Sequence, residues 1–397
     1  MRARGAVAFA AALAAFLAIG MWLGGHPRNL PGPLRDVFVE ETGGLSAEAA
    51  EAIESSYYRS VGGKELSNAS LQGMVRALRK SNEEDRYSEY FSPEALESFN
   101  QQIEGRFSGI GLTVVPVKRG LGVATVFPNS PADQAGIEPG DTIVTVEGES
   151  IAGKSSSEAT KKIKGPEGTE VTIGVRDGKT KKARELTLTR AEVTLPNVSS
   201  GVKQVDGKKL GYVRMLSFSE AAHAQLAEAV QKVEKEGAEG VVLDLRHNPG
   251  GLLDEAVLSA NIFLPKDEVV VRTRSRTQGD SVHKTPGDPI SDLSVVVLVD
   301  GGSASAAEIL AAALADDAGA PVVGTRTYGK GLFQEERDLA NGGALKLSVG
   351  EFFTPKGVNL AKSHGIHPDV KAKDDAATPA DEAKQRAFAV LAGRVGG

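Results

Sequence analysis

The chain contains no cysteine. That absence removes disulfides, thiolate nucleophiles, iron–sulfur clusters and Cys-ligated zinc together, so any chemistry here runs through oxygen or nitrogen. No HExxH helix is present either, which disfavours a zinc peptidase, and no GxSxG elbow surrounds any serine. No long basic run occurs, and 46 Lys and Arg stand against 52 Asp and Glu for a net charge of −6. A counterion-releasing nucleic-acid surface is therefore not expected. No internal repeat of 20 to 50 residues is visible. What is present is ordinary globular composition, 41% apolar and 25% charged. At 397 residues, and roughly 150 per domain, two or three folded domains are expected.

The first segment reads as an address. Residues 5–25, GAVAFAAALAAFLAIGMWLGG, are uncharged and follow Arg2 and Arg4. As a helix they would be about 31 Å long, enough to span a bilayer's hydrocarbon core. The arginines place the N-terminus in the cytoplasm and the body outside it. A signal anchor is favoured over a cleaved signal peptide, because even the last small-x-small site, Ala18-Ile19-Gly20, lies inside the apolar run. The expected location is thus extracytoplasmic, either tethered as a single-pass membrane protein or released.

Texture along the chain divides the rest. Residues 26–103 form a polar, helix-prone region, with helical spacing over Ser46–Ser60 and Ser67–Lys80 and a Pro at the start of SPEALESF. Residues 104–192 are short strands cut by Gly and Pro, with a hairpin signal at Asp177-Gly178 and short helices at Ala132–Ala135 and Ser156–Lys164. From 193 to 371, apolar runs such as VVLDLR and SVVVLVD alternate with amphipathic helices, which predicts an α/β layered core with buried strands. Residues 372–397 are expected to be a tail with one short helix.

Four glycine-rich junctions, one in the β-rich module and three in the α/β core, can carry chemistry. In the β-rich module, Gly109-Ile110-Gly111-Leu112 enters a strand where backbone N–H groups can converge on an anion such as a peptide's terminal carboxylate. In the core, Ser305 stands between the strand Ser294–Val299 and the helix Ala306–Asp317, where free N–H groups and the dipole favour developing negative charge. A serine there is usually an N-cap, but Ser303 competes for that role. Lys330 follows in TRTYGKGLFQ after the strand Pro321–Gly324, and a lysine takes a serine's proton only when neutral, which requires burial or a nearby cation. Gln334 can hold its ammonium. Asp244-Leu245-Arg246-His247-Asn248-Pro249-Gly250-Gly251 ends a third strand, and amides of Gly250 or Gly251, with that of Ala306, are candidates for an oxyanion hole.

Taken singly, each junction also fits a simple turn. Together, DLRHNPGG, GSASAAEI and YGKGLFQ, preceded by VFPNSPADQAGIEPGDTIVTVEGESI, resemble the carboxyl-terminal processing protease family, peptidase family S41. The resemblance runs from about Arg35 to the C-terminus and includes GIHPDV at Gly365–Val370. It implies a protease core of the ClpP/crotonase-like layered α/β type with an inserted PDZ domain that binds peptide C-termini. It also implies Ser305 as nucleophile, Lys330 as general base and Gln334 as the supporting residue. No cofactor or metal is implied; the partners are proteins or peptides with free C-termini, and the oligomeric state is open. Ala307, His247 and Leu332-Phe333 depart from the family pattern and bear on the cleft's shape.

Rival readings are weaker. Gly324 to Lys330 fits GxxxxGK, yet Gly331 stands where a magnesium-ligating Ser or Thr is required. A His-dependent hydrolase has histidines but no elbow. From another class, the chain reads as a membrane-tethered PDZ receptor or adaptor with an inactive protease-like core; intact Ser305 and Lys330 oppose it.

Overall fold

The computed structural model describes residues 41–82, 85–194, 197–375 and 378–395. The expected membrane or signal helix at 5–25 lies outside the described residues, among which no helix is long and apolar enough to cross a membrane. The chain divides after Ser92 into two units. The first holds helices α1 (Glu41–Ser56) and α2 (Gly63–Ser81) and the short strand β1 (Glu89–Phe91). Tyr90 Oη donates to Asn68 Oδ1 at 2.7 Å within it. Helix α3 (Pro93–Glu104), expected with this helical region, belongs instead to the second unit.

The second unit begins with α3 and passes through β2 (Arg106–Gly109) into the β-rich module. There β3 (Leu112–Val117), β4 (Gly120–Val126), helix α4 (Pro131–Gln134), β5 (Thr142–Val146), β6 (Glu149–Ser150), helix α5 (Ser156–Ile163), β7 (Glu170–Arg176) and β8 (Ala183–Thr189) follow in order. The chain leaves through β9 (Ala191–Thr194), which pairs antiparallel with β2. The sheet order is β3-β4-β5-β7-β8, with β6 on β5. Alternation drives burial here: Val171, Ile173 and Val175 point inward from β7 while their neighbours stay partly exposed. Helix α5 starts with a capping box, Ser155 Oγ accepting from Glu158 N while Glu158 accepts from Ser155 N. The Asp177-Gly178 signal does mark a hairpin loop, held by Lys179 N and Thr180 N donating to Asp177 Oδ1.

The remaining elements are β10 (Val198–Val205), β11 (Lys208–Met215), α6 (Ala222–Lys235), β12 (Gly240–Asp244), α7 (Leu253–Ala260), β13 (Val269–Ser275), β14 (Gly279–Lys284), β15 (Ser294–Val299), α8 (Ala306–Asp317), β16 (Val322–Gly324), β17 (Leu332–Asp338), β18 (Ala344–Phe353), β19 (Val370–Lys371) and α9 (Glu382–Arg394). One sheet runs β10-β11-β12-β15-β16-β19, parallel from β11 onward. Val241, Leu243, Val295 and Val297 face helices α6, α7 and α8, while Val242, Val296 and Leu298 face α9. Both faces are covered, so the strands are continuous apolar runs. A second, antiparallel sheet places β17, β18, β13 and β14 side by side.

Residues after 372 are more than a tail. Helix α9 buries Ala387, Phe388 and Leu391 on the sheet's second face. Its N-cap, Asp381, is clamped by Arg246, whose guanidinium also binds Asp244 and Asp374. Burial works against the guanidinium's charge, but the hydrogen bonds it donates to Asp244 and Asp381 outweigh it and hold its pKa above the ordinary arginine value. Because Phe388 is only 2% exposed, Phe388→Ala is expected to lower unfolding free energy by about 3–5 kcal/mol, read as a reduced urea midpoint. An unchanged midpoint would mean that α9 docks loosely.

Candidate active site

Three loops leave the sheet at the carboxyl ends of adjacent parallel strands. Register brings them level: Asp244 of β12 lies beside Leu298 of β15, and Val299 beside Gly324 of β16. Residues 245–252, 300–305 and 325–331 therefore share one edge, where open α/β sheets bind their ligands. This is the arrangement expected from the sequence for Ser305 and Lys330.

Ser305 caps α8 in an unusual way. Its φ of 57° and ψ of −118° depart from the extended conformation of ordinary N-caps. Such strain in a non-glycine residue persists only when its surroundings enforce it, and it concentrates at functional sites. Ser303, the rival cap, serves elsewhere: its Oγ donates to Leu245 O at 2.8 Å and accepts from Asp300 N. Gly250, φ +94°, lies against Ser305; a Cβ there would come within 2.8 Å of Ser305 Cβ and 2.9 Å of Ala306 N.

Glu308, which sequence reasoning passed over, joins the loop of Ser305 to the loop of Lys330. It is wholly buried. Oε2 accepts from Ser305 N and Lys330 N, both at 2.9 Å; Oε1 accepts from Thr327 Oγ1 at 2.6 Å and Gly329 N at 2.7 Å. Ser305 and Lys330 thus stand two hydrogen bonds apart through a single oxygen. The signal was in the sequence: Ser305-x-x-Glu308 is a capping-box spacing, and the N3 carboxylate reaches back to the N-cap amide as that motif requires. The lysine loop is backed by the segment containing GIHPDV, for Thr327 N donates to Ile366 O and Ile366 N to Thr327 Oγ1.

The Lys330 ammonium is pushed down to about 8. Burial is the main cause, the positive charge of Lys346 adds to it, and Glu308 opposes both. Gln334 is placed differently from expectation. Its Nε2 donates to Leu332 O at 3.0 Å and Ser348 Oγ at 3.3 Å, so its hydrogen bonds run along the second sheet and not to Lys330.

The candidate oxyanion donors also separate. Gly250 N donates to Asn248 Oδ1 at 2.9 Å, so this amide is already engaged and Gly250 contributes space rather than a donor. Gly250 O accepts from Phe218 N, and a trans peptide sends the next N–H, that of Gly251, the opposite way. Ala306 N belongs to the first turn of α8, where amides have no intrahelical acceptor. Gly251 and Ala306 are the donors this geometry offers.

In the β-rich module the same peptide logic applies. Ile110 O accepts from Ala132 N, and Gly111 O from Phe127 N and Ser130 Oγ. Those carbonyls point inward, so the amides of Gly111 and Leu112 point outward. Leu112 opposite Val126 is a non-hydrogen-bonded pair, flanked by the Phe127–Gly111 bond, which leaves its amide directed off the sheet. Strand β3 pairs only with β4 and keeps an open edge among the described residues. Gly109, Ile110, Gly111 and Leu112 therefore sit together at the mouth of an edge able to accept an added strand.

Comparison with known proteins bears on the two regions rather than on single residues. Residues 209–372 match the model of peptidase family S41, and residues 122–177 match a PDZ domain model. A protein of Staphylococcus haemolyticus (strain JCSC1435), named as a probable CtpA-like serine protease, is 36% identical over 329 residues, covering 81% of this chain and 63% of the relative. One of the same name from Staphylococcus aureus (strain N315) is 38% identical over 324 residues, covering 80% and 62%. The chain thus spans under two thirds of the length of these curated relatives. A solved structure of an S41 protease candidate from Bacteroides fragilis NCTC 9343 superposes with a TM-score of 0.52 at 21% identity, over 83% of this chain and 90% of that one, which establishes the shared fold.

Three outcomes follow from this geometry and its electrostatics. Labelling of Ser305 by an acylating probe is expected to rise with pH and level off above about 8, since only the neutral amine accepts a proton. Lys346→Met removes a repelling charge, stabilises the ammonium and should move that midpoint upward; a midpoint that stays put would exclude Lys346 as its cause. Glu308→Gln turns one acceptor oxygen into a donor, and is expected to cost about 1–3 kcal/mol of stability in thermal unfolding while sharply slowing the labelling.

Proposed function

We propose, from the match of residues 209–372 to the model of peptidase family S41 and of residues 122–177 to a PDZ domain model, that the chain is a serine endopeptidase of that family that recognises protein C-termini and cleaves upstream of them. The observation that carries this reading is the Glu308 oxygen shared by the backbones of Ser305 and Lys330. It supports a Ser-Lys pair; burial, against the pull of Glu308, lowers the lysine to about 8, so that a fraction of it is the neutral amine at physiological pH.

In this reaction Ser305 Oγ attacks the scissile carbonyl as Lys330 Nζ takes its proton. The N–H groups of Gly251 and Ala306 stabilise the oxyanion of the tetrahedral intermediate. Collapse of that intermediate breaks the peptide C–N bond, and the protonated lysine delivers its proton to the leaving amine. Water then attacks the acyl-enzyme, with Lys330 again as base, and releases the acid and the free serine. Gln334 acts at a distance, bracing the strand that follows the lysine loop.

The PDZ domain captures the substrate's terminal carboxylate at the amides of Gly111 and Leu112, with Gly109 and Ile110 shaping the loop, while the tail adds to the edge of β3. A path links this capture to the core. The β2–β9 ribbon joins the domain to the rest of the unit, and Glu220 N donates to Ile103 O beside it. Two residues earlier, Phe218 N and O bond to Gly250 O and Leu252 N, on either side of the Gly251 amide. We read this as a gate in which domain position sets the oxyanion loop. The uncharged run at 5–25 after Arg2 and Arg4 supports export of the enzyme, or tethering at the outer face of a membrane.

Peptides with free and amidated C-termini, assayed with intact protein, Ser305→Ala and Lys330→Ala, test this proposal. Free-ended peptides should be cut faster, and both variants should be inactive; residual wild-type turnover in Lys330→Ala would defeat the Ser-Lys mechanism. For the gate, a tail peptide added in trans should accelerate cleavage of a tailless substrate, and a rate indifferent to it would remove gating from the scheme.

A further inference from the structure

Asp300, the residue that follows β15, stands outside everything assigned above. Its side chain is 19% exposed and lies between the oxyanion loop and the nucleophile loop. Oδ1 accepts from His247 N and Gly302 N, each at 2.9 Å, and Oδ2 lies 3.0 Å from His247 Nδ1. His247 is held at φ 58°. For a residue with a bulky side chain this left-handed geometry is costly unless something fixes it. The carboxylate does so, taking both the main-chain N–H and the ring nitrogen of one residue.

What Asp300 holds together matters for Ser305. Beyond it the two loops are bonded strand by strand: Ser303 Oγ to Leu245 O at 2.8 Å and Ala304 N to Asn248 O at 2.9 Å. They approach so closely at Gly302 that a Cβ would meet His247 Cα at 3.0 Å and Asp300 Oδ1 at 3.2 Å. This contact ends with Gly250 pressed against Ser305 and Ala306. The relative position of the Gly251 amide and the Ser305 hydroxyl is thus set by contacts that begin at Asp300. Asp300 bonds to neither Ser305 nor Lys330, and His247 is 75% exposed on its side-chain surface.

We infer that Asp300 and His247 form a clamp that aligns the oxyanion loop with the nucleophile, making Asp300 a positioning residue for acylation. This inference rests on the peptidase reading. With neutral imidazole, Nδ1–H donates to Oδ2, so the clamp selects that tautomer and leaves Nε2 facing solvent.

Kinetics of a tailed peptide, acylation by a serine-directed probe, and amide hydrogen exchange on the full chain test the clamp. Asp300→Ala is expected to lower kcat and the acylation rate about 10- to 100-fold, as a small misplacement of the reacting groups does, with KM and tail binding within about twofold. Asp300→Asn keeps an acceptor for the two amides and should recover part of the loss. His247→Ala keeps the main-chain bond and should give a smaller loss, and combining it with Asp300→Ala should add little, because both act through one contact. Exchange at residues 247–251 and 300–306 should quicken in Asp300→Ala, a readout independent of catalysis. Unchanged exchange, or losses that multiply in the double variant, would overturn the clamp; should Asp300→Ala fail to fold, His247→Ala carries the same exchange test. Failure of the peptidase reading is recognised separately, by turnover that survives in Ser305→Ala.

Discussion

A buried carboxylate governs the geometry of the candidate active site. Glu308 collects four donors from two loops, the amides of Ser305, Gly329 and Lys330 and the hydroxyl of Thr327. A charge without water is stable only when its lone pairs are fully used, so each donor is held in place by the others. The same group supports the positive-φ conformation of Ser305, which ordinary capping would not produce. Position and electrostatics then pull in opposite directions at Lys330: Glu308 favours the ammonium, while burial and Lys346 favour the neutral amine. The balance falls toward neutrality because desolvation is the largest of the three.

The loops that meet at Glu308 are held from outside by further polar contacts of the same kind. Arg246 ties the end of β12 to the N-cap of α9, so the C-terminal helix braces the strand from which the loop 245–252 departs. Asp300 ties that loop to the one bearing Ser305. Phe218 ties it to the segment beside the β2–β9 ribbon. Three independent anchors on one short loop explain why it contains two adjacent positive-φ glycines. At Gly251 a Cβ would fall 2.2 Å from Phe218 O, and at Gly250 it would strike Ala304 and Ser305. Close packing of backbone on backbone is what leaves the Gly251 and Ala306 amides positioned without side chains in the way.

Much of the fold was legible in the chain itself. The strand Ser294–Val299 and the helix Ala306–Asp317 appear at their expected limits, since an apolar run, a glycine turn and a helical period coincide there. The β-rich module was legible because Gly and Pro cut its strands, and its likeness to a PDZ domain rested on the run VFPNSPADQAGIEPGDTIVTVEGESI. The second sheet was not. Strands β17 and β18 present a mostly half-buried sequence, and β18 finds its other partner in β13, far away along the chain. Helix α9 was underestimated for a related reason: its apolar stripe is modest, and only the opposing face of the parallel sheet gives it a place to be buried.

By itself the sequence determined which atoms can react and which elements present them. Lacking cysteine, it leaves oxygen and nitrogen groups for any chemistry, and the spacing of glycines around Ser305, Lys330 and Gly250 put these at strand ends, because local chain stiffness and periodicity are encoded within a few residues. Tertiary structure decided which of those groups meet. It engaged the Gly250 amide with Asn248, turned Gln334 along its own sheet, and made Glu308 and Asp300 the junctions between loops. Such choices depend on hydrogen bonds between segments distant in the chain and on a carboxylate's need for donors once water is excluded, and neither leaves a local pattern to read.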